Sequence, residues 1–240
     1  MIGLLILWQV LAMTVFAGAH VLPGPIAIAK GLWSDRTYYA ANILPTVIVA
    51  AKGYVFGNLI AIVLALIGTV YPPTEGPIMR VALVAYGTPL LAVAPILVVI
   101  CSGDAARVIL AALSVFFTTL VGVQTGLLQA DATSLDVITA YGGRRWSQLF
   151  KVRLWSCLPS LFAALKIAAP SSLLGAIIAE FLGADRGLGI GLVVAEQNLD
   201  SVRTWGIAVV ATAIAGVAYG IVDLIGQWSM PWLSRSANRS

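Results

Sequence analysis

Charge is what this chain has least of. Only 10% of its 240 residues are Asp, Glu, Lys or Arg, where a soluble domain carries about 25%. Sixty per cent are hydrophobic and the mean hydropathy is +0.98. A water-soluble globule of this size cannot bury so much apolar surface. Soluble enzymes, DNA-binding proteins and disordered chains are thereby excluded. His20 is the sole histidine. That removes HExxH, any His-pair metal site and every His-based triad not built on His20. Cys101 and Cys157 are too few for a disulfide framework and form no CxxC. The phosphate loop GxxxxGK[ST] is also missing, so this chain cannot hydrolyse ATP by that route.

What is present is a series of long apolar runs. Six membrane spans are read, at about 2–19, 44–70, 78–100, 108–128, 157–182 and 204–228. Each is long enough for a hydrocarbon layer of about 30 Å at about 1.5 Å per residue. The runs lack strand alternation, so helices are favoured over a closed barrel. The first run has no basic leader and no A-x-A-like site before Pro23, so it reads as a retained helix rather than a signal peptide. The expectation is an all-α membrane protein with one transmembrane domain over residues 1–240.

The connections are uneven. Residues 20–43 read as a short amphipathic lead-in broken by Pro and Gly. Tight turns are expected at 71–77 (YPPTEGP) and 101–107 (CSGDAAR). The stretch 129–156 is the longest polar segment, and 183–203 is Gly-rich, then polar. Placing 129–156 in the cytoplasm puts Arg80, Arg144, Arg145, Lys151, Arg153, Arg235 and Arg239 there, against Lys30, Arg36, Arg107, Arg186 and Arg203 outside. The basic excess follows the positive-inside rule, so the net charge of +4 reports orientation rather than nucleic acid. Six spans then leave both termini in the cytoplasm and put Cys101 and Cys157 on opposite sides of the membrane.

Within the long loop, Leu135–Pro159 parses as a short helix, a break at Gly142–Gly143, a second helix, and a stop at Pro159. Asp131, Thr133 and Ser134 are the candidate N-caps. The second helix sets Trp146, Leu149 and Phe150 on one side and Arg145, Gln148 and Lys151 near the other. Two readings stand: a helix lying at the lipid headgroups, or a docking element for a soluble partner.

These residues resemble the EAA motif of bacterial ABC importer permeases, roughly E-A-A-x(3)-G-x(9)-I-x-L-P. Gly142 matches the central glycine, Ala140 precedes it, and GGRRW resembles the family's GASRW. Val152 and Leu154 stand where the family has I-x-L. The leading Glu is Asp136 here, followed by Val137 and Ile138, and the proline expected after Leu154 is Trp155. Downstream, Glu180-Phe181-Leu182-Gly183 and Gly187-Leu188-Gly189 resemble the segment after the fifth span in the nitrate/taurine/sulfonate subfamily. Leu22-Pro23-Gly24-Pro25 resembles its LPxP. The likeness runs in order over about residues 21–233.

The resemblance implies a type I ABC importer permease fold with a cytoplasmic coupling helix. Its expected coupling residues are Asp136, Ala140, Tyr141, Gly142, Gly143, Arg144, Arg145, Trp146 and Phe150. It implies two cytoplasmic ABC ATPase subunits that carry the ATP and Mg, so this chain needs no cofactor of its own. It also implies a second permease chain, an extracytoplasmic solute-binding protein, and residence in the bacterial inner membrane. The solute would be small, a nitrate-, sulfonate- or taurine-like anion or a related organic molecule.

Charges inside the spans are functional candidates by default. Lys166 and Asp223 lie at similar depths from the cytoplasmic side, which predicts an ion pair. Lys52 either snorkels outward or attracts an anionic solute. Glu180, at the outer end of the fifth span, reads as a packing and hydrogen-bonding residue. Pro89 and Pro95 are expected to kink the third span, which makes Tyr86, Thr88, Ser171 and Ser172 pore-lining candidates. Gly216-x-x-x-Gly220 reads as a helix contact, within the chain or between subunits. A secondary transporter or channel would want several buried acids or an inverted repeat, and neither is visible. An intramembrane protease would want a Ser–His pair within the spans.

Overall fold

The computed structural model describes residues 2–15, 21–101 and 103–230, and every regular element among them is helical. His20, with Arg235 and Arg239, lies outside the described residues. The chain begins with α1 (Ile2–Met13) and α2 (Pro25–Ser34), then the long α3 (Arg36–Val70). A 3-10 turn at Pro72–Thr74 leads into α4 (Glu75–Gly87) and α5 (Leu90–Ile100). Then come α6 (Ala105–Leu128), α7 (Ala132–Ala140) and α8 (Arg145–Gln148). A π-turn at Leu149–Arg153 joins α8 to α9 (Leu154–Glu180), and α10 (Leu188–Gln197) and α11 (Ser201–Ser229) finish the order.

Four helical runs are long and apolar enough to cross a membrane: α3, α6, the continuous run Arg145–Glu180, and α11. A fifth crossing is available from α4 and α5 together, which meet at a 98° bend. The sequence predicts a kinked span there, and the structure makes a full break. The cause is local: a residue before proline is pushed out of the helical region, and Thr88 accordingly sits at φ −80°, ψ 123°. Pro95 stays inside α5. Helix α1 has 12 residues, about 18 Å of helix against a layer of about 30 Å. The rest of the expected first span, residues 16–19, is outside the described residues.

Two further boundaries differ from the sequence reading. Helix α3 starts at Arg36, so most of the expected lead-in is helix, broken before Pro25 and at Asp35. Pro25 at the first turn of α2 has its φ preset and no N–H to waste. The loop helix does not stop at Pro159. It runs through Pro159 and Pro170 to Glu180, as helices in membranes can where neighbours satisfy the freed backbone groups.

The core is the triple contact of α3, α6 and α9, and small residues make it. A Cβ at Gly57 of α3 would come within 2.5 Å of the Ala112 carbonyl oxygen on α6, and one at Gly53 would collide with the Ala111 methyl. A Cβ at Gly126 of α6 would lie 2.8 Å from Ser160 Cβ and 3.0 Å from Cys157 Sγ on α9. Such contacts bring backbones together where lipid supplies no hydrophobic drive between helices. Thr119 donates to Asn58 Oδ1 across the same α3–α6 seam. At one end Val70, Leu127, Leu149 and Cys157 close the core, and at the other Tyr39, Leu188 and Ile207 do so. Helix α11 packs at the periphery, where Arg203 reaches Asp35 at 2.7 Å and Trp205 meets Trp8 of α1 with ring centroids 5.5 Å apart.

Gly57→Leu is expected to destabilise the purified chain by about 2 kcal/mol or more through overpacking. Gly216→Leu, where an added Cβ meets nothing within 4 Å, should stay within about 0.5 kcal/mol. Thermal unfolding in detergent checks both.

Candidate functional site

The segment from Asp131 to Arg153 forms an elbow at the end of the core where α3 and α6 finish. Asp131 is the cap of α7: its Oδ2 accepts from Ser134 N and from Ser134 Oγ, both at 2.8 Å. Those bonds hold its carboxyl below the usual carboxylate range. None of the nine residues of α7 is buried. The chain then reverses through Gly142 at φ +75°, the left-handed region that favours glycine. Gly143 is required for a different reason, because a Cβ there would come within 2.7 Å of the Ile138 carbonyl oxygen. Gln148 Nε2 donates to Thr139 Oγ1 at 2.9 Å and braces the two arms.

Three attachments fix the elbow to the bundle. Arg145 Nη1 donates to the Val70 carbonyl at 3.2 Å, and Arg153 Nη1 to the Leu127 carbonyl at 3.1 Å. Both carbonyls belong to helix C-termini, whose last C=O groups lack partners and whose dipole favours a cation. Leu149, 1% exposed, wedges between them into the core. The sequence reading grouped Leu149 with Trp146 and Phe150. The structure divides that stripe: its Leu149 edge rests on the bundle while Trp146 and Phe150 stay open. Their rings stack with centroids 5.9 Å apart. Tyr141 is 89% exposed at the tip, and Asp136, Ala140, Gly142 and Arg144 are exposed beside it. The expected coupling residues thus sit on one braced projection with an aromatic outer surface.

Two polar locks lie within the bundle. Lys166 of α9 and Asp223 of α11 form an ion pair, and Gln227 Nε2 donates to the same carboxylate at 2.8 Å. The second lock was only half legible. Glu180 is fully buried and receives Thr46 Oγ1 at 2.9 Å and Gly189 N at 2.8 Å. Leu188 N donates to Thr46 Oγ1 at 2.8 Å, and Gly187 N to Asn42 Oδ1 at 3.0 Å. The first N–H groups of α10, which have no partner of their own, are therefore capped by α3 and α9. Gly187 has φ +136°, and a Cβ there would collide with the Glu180 carboxyl. The Gly-Leu-Gly run pointed to this lock; the parts of Thr46 and Asn42, 134 and 145 residues away along the chain, had no local signal.

The pore candidates are scattered. Tyr86 stacks on Phe117 at 4.4 Å, and Thr88 donates to the Val84 carbonyl at 2.7 Å beside the α4–α5 break. Ser171 and Ser172 donate to carbonyls of their own helix, at 2.9 and 2.8 Å. Ser172 alone among these candidates lines the apolar groove between α3, α9 and α11, with Tyr54 and Ile214. Lys52 is exposed on α3. A Cβ at Gly216 or Gly220 would meet nothing within 4 Å among the described residues, whereas Gly53-x-x-x-Gly57 and Gly122-x-x-x-Gly126 carry the packing. The same spacing would have found both.

The described residues form a polytopic helical bundle with one braced, projecting elbow. The chain belongs to the family described as binding-protein-dependent transport system inner membrane component, whose model matches residues 57–239. It is 23% identical over 221 residues to a probable ABC transporter permease protein of Haemophilus influenzae, covering 92% of this chain and 90% of that one. It is 24% identical to the formylaminopyrimidine transport permease protein of Halalkalibacterium halodurans, over 78% of this chain and 75% of the other. A putative aliphatic sulfonates transport permease protein of Bacillus subtilis is 22% identical over 94% and 83%. The protein is an integral inner-membrane permease subunit of an ABC transporter.

Neutralising one partner of the lysine–aspartate pair, by Lys166→Met or Asp223→Asn, should destabilise the chain by about 1–3 kcal/mol, with the double variant recovering much of the loss. A double-mutant cycle on thermal unfolding measures it. Glu180→Ala leaves the Gly189 N–H without its acceptor, at about 1–3 kcal/mol, and leaves the Thr46 hydroxyl only the Asn42 carbonyl at 3.2 Å. Faster proteolysis of the 183–200 segment is the expected readout.

Proposed function

We propose that this chain is one of two permease chains of an ABC importer and that small solutes cross the membrane between them by alternating access. The single observation that carries the coupling part is the elbow, with its projecting aromatic surface tied to the ends of α3 and α6 and continuous with α9. A cytoplasmic ATPase pair, which holds the ATP and Mg, grips that surface. Exposed aromatic side chains suit such a role, since Tyr and Trp are common interface anchors. With no side chain at Gly142, a partner's surface can come close to the backbone there. ATP-driven closure needs a rigid handle, and the brace from Gln148 to Thr139 supplies one.

With the elbow in the cytoplasm, the far end of the bundle, with α10 and the 183–200 segment, faces outward. There a solute-binding protein delivers its cargo. The C-terminal end of α11 then lies in the cytoplasm, and the N-terminus joins it there if α1 and the residues after it complete a crossing. The names of the relatives span a sulfonate system and a pyrimidine system, which supports a small, polar solute of the anionic or heteroaromatic kind for this chain.

Gly142→Glu is the test. It puts a bulky acid at the tip, where an added Cβ meets nothing within 4 Å but the φ of +75° strains any side chain by about 1–2 kcal/mol. In proteoliposomes holding the complete complex, solute uptake and solute-stimulated ATPase activity should both fall at least tenfold. Gly142→Ala, which carries the same strain without the bulk or charge, is the control and should keep both activities. Survival of both activities in Gly142→Glu would remove the coupling role from this elbow.

A further inference from the structure

The charges within the membrane are unequally provided for. Lys166 meets Asp223, and Glu180 receives two hydrogen bonds. Lys52 has neither an ion pair nor a hydrogen bond among the described residues. It stands near the middle of α3, roughly 24 Å from one end and roughly 27 Å from the other. Counted from Leu44, where the apolar run begins, it is roughly 12 Å deep. A lysine stem carries its ammonium about one turn, ~5 Å, toward the helix N-terminus. That reach leaves it within the apolar run that begins at Leu44.

Position on the helix matters as much as depth. Helix α3 buries the face that carries Ala50, Gly53 and Gly57, and Lys52 is on the opposite side. Its neighbours there, Ile48, Val55 and Leu59, are 41%, 57% and 55% exposed. A lone ammonium among them facing hydrocarbon is strongly disfavoured, and residues of this kind face a bundle interior or a water-filled cavity instead. Among the described residues no other helix covers Lys52, and only the edge of this face, at Val55, borders the groove between α3, α9 and α11. The cavity must then be one that forms when the protomer is assembled, and an uncompensated cation in a low-dielectric wall concentrates anions.

We propose that the outward face of α3 around Lys52 lines the aqueous solute path, and that Lys52 is the counter-charge for a small solute bearing a negative group such as a sulfonate or carboxylate. The proposal rests on the permease reading above and adds to it a pore-facing surface, a residue and a charge preference. The apolar neighbours supply a wall without competing hydrogen bonds, so the solute's negative group has one partner on each protomer.

The experiment uses the complete complex in proteoliposomes with Cys101→Ser and Cys157→Ala. Ile48→Cys places a thiol one turn before Lys52 on the same face, and Val55→Cys does so on the other side should the first variant not assemble. Each is exposed to an anionic (sulfonatoethyl) and a cationic (trimethylammonioethyl) methanethiosulfonate. Both reagents should react, and the anionic-to-cationic rate ratio should fall on the order of tenfold when Lys52→Gln is added. Lys52→Arg should keep the ratio. A thiol that resists both reagents, while Leu199→Cys in the outer loop reacts, places this face against lipid and overturns the proposal. A ratio indifferent to Lys52 overturns the charge role. Either failure in a preparation that retains its ATPase leaves the permease reading standing; a preparation with no ATPase partner overturns that reading instead.

Discussion

Backbone proximity of α3, α6 and α9 is the constraint on which the rest of the molecule depends. Between helices in lipid there is no hydrophobic gain to draw them together. Dispersion has to do it, and it falls away within an ångström of the optimum. Gly53, Gly57, Gly122 and Gly126 remove the side chains that would hold the helices apart. Once the axes are this close, the seam is dry enough for single polar contacts to count. Thr119 to Asn58 and Cys157 to the Val123 carbonyl both lie in it. A side chain inserted at any of the four glycines would move an axis, and with it the helix ends that carry the elbow and the α10 lock.

The treatment of charge follows from the same low-dielectric interior. Arg145 and Arg153 are spent on the carbonyl ends of α3 and α6, where an orphan acceptor and a helix dipole both favour them. Glu180 does the reverse at the other end, meeting the N-terminus of α10 with a carboxylate. Asp35, outside the spans, is held below the usual carboxylate range by its hydrogen bonds from Arg203 and Ser34, and so keeps α2 on α11 at neutral pH. Each of these groups completes a backbone or an ion pair. Lys52 does not, and that asymmetry separates it from the structural charges.

Length and apolarity in the sequence located every long helix, because the requirement to satisfy backbone groups in lipid admits few alternatives. The elbow was legible for the same kind of reason: a double glycine between two short helices permits little else, and an aspartate at 131 is a strong cap. What the sequence concealed was set by distance along the chain or by competition. Pro89 and Pro95 look equivalent in the sequence. Only the first breaks the helix, because Thr88 and Gly87 before it let the chain leave the helical region. Pro159 looks like a stop, and packing overrides it. The Gly216–Gly220 pair matched a motif but packs on no other helix among the described residues, while the packing copies of that spacing lay in α3 and α6. Pattern alone identifies a glycine pair; which face of the helix is covered decides its use.

Continuity is the last consequence. The run Arg145–Glu180 is 36 residues long, roughly 54 Å of helix, and it begins in the elbow and ends in the α10 lock. An input at Trp146 or Phe150 therefore reaches Glu180 without crossing a loop. Bonds from Arg145 and Arg153 pass the same input to α3 and α6, so the three core helices have to move as one body. The part jointed against that body is the broken pair α4–α5, bent by 98°; α11 is tied to the body by ion pairs near its opposite ends and by Ile207, buried in the core. A motor acting on the elbow would thus rock a rigid triple against a jointed pair, and the outer end of the bundle would answer through α10. The π-turn at Leu149–Arg153 lies where the elbow joins that run, and such turns interrupt α-helices frequently at functional sites.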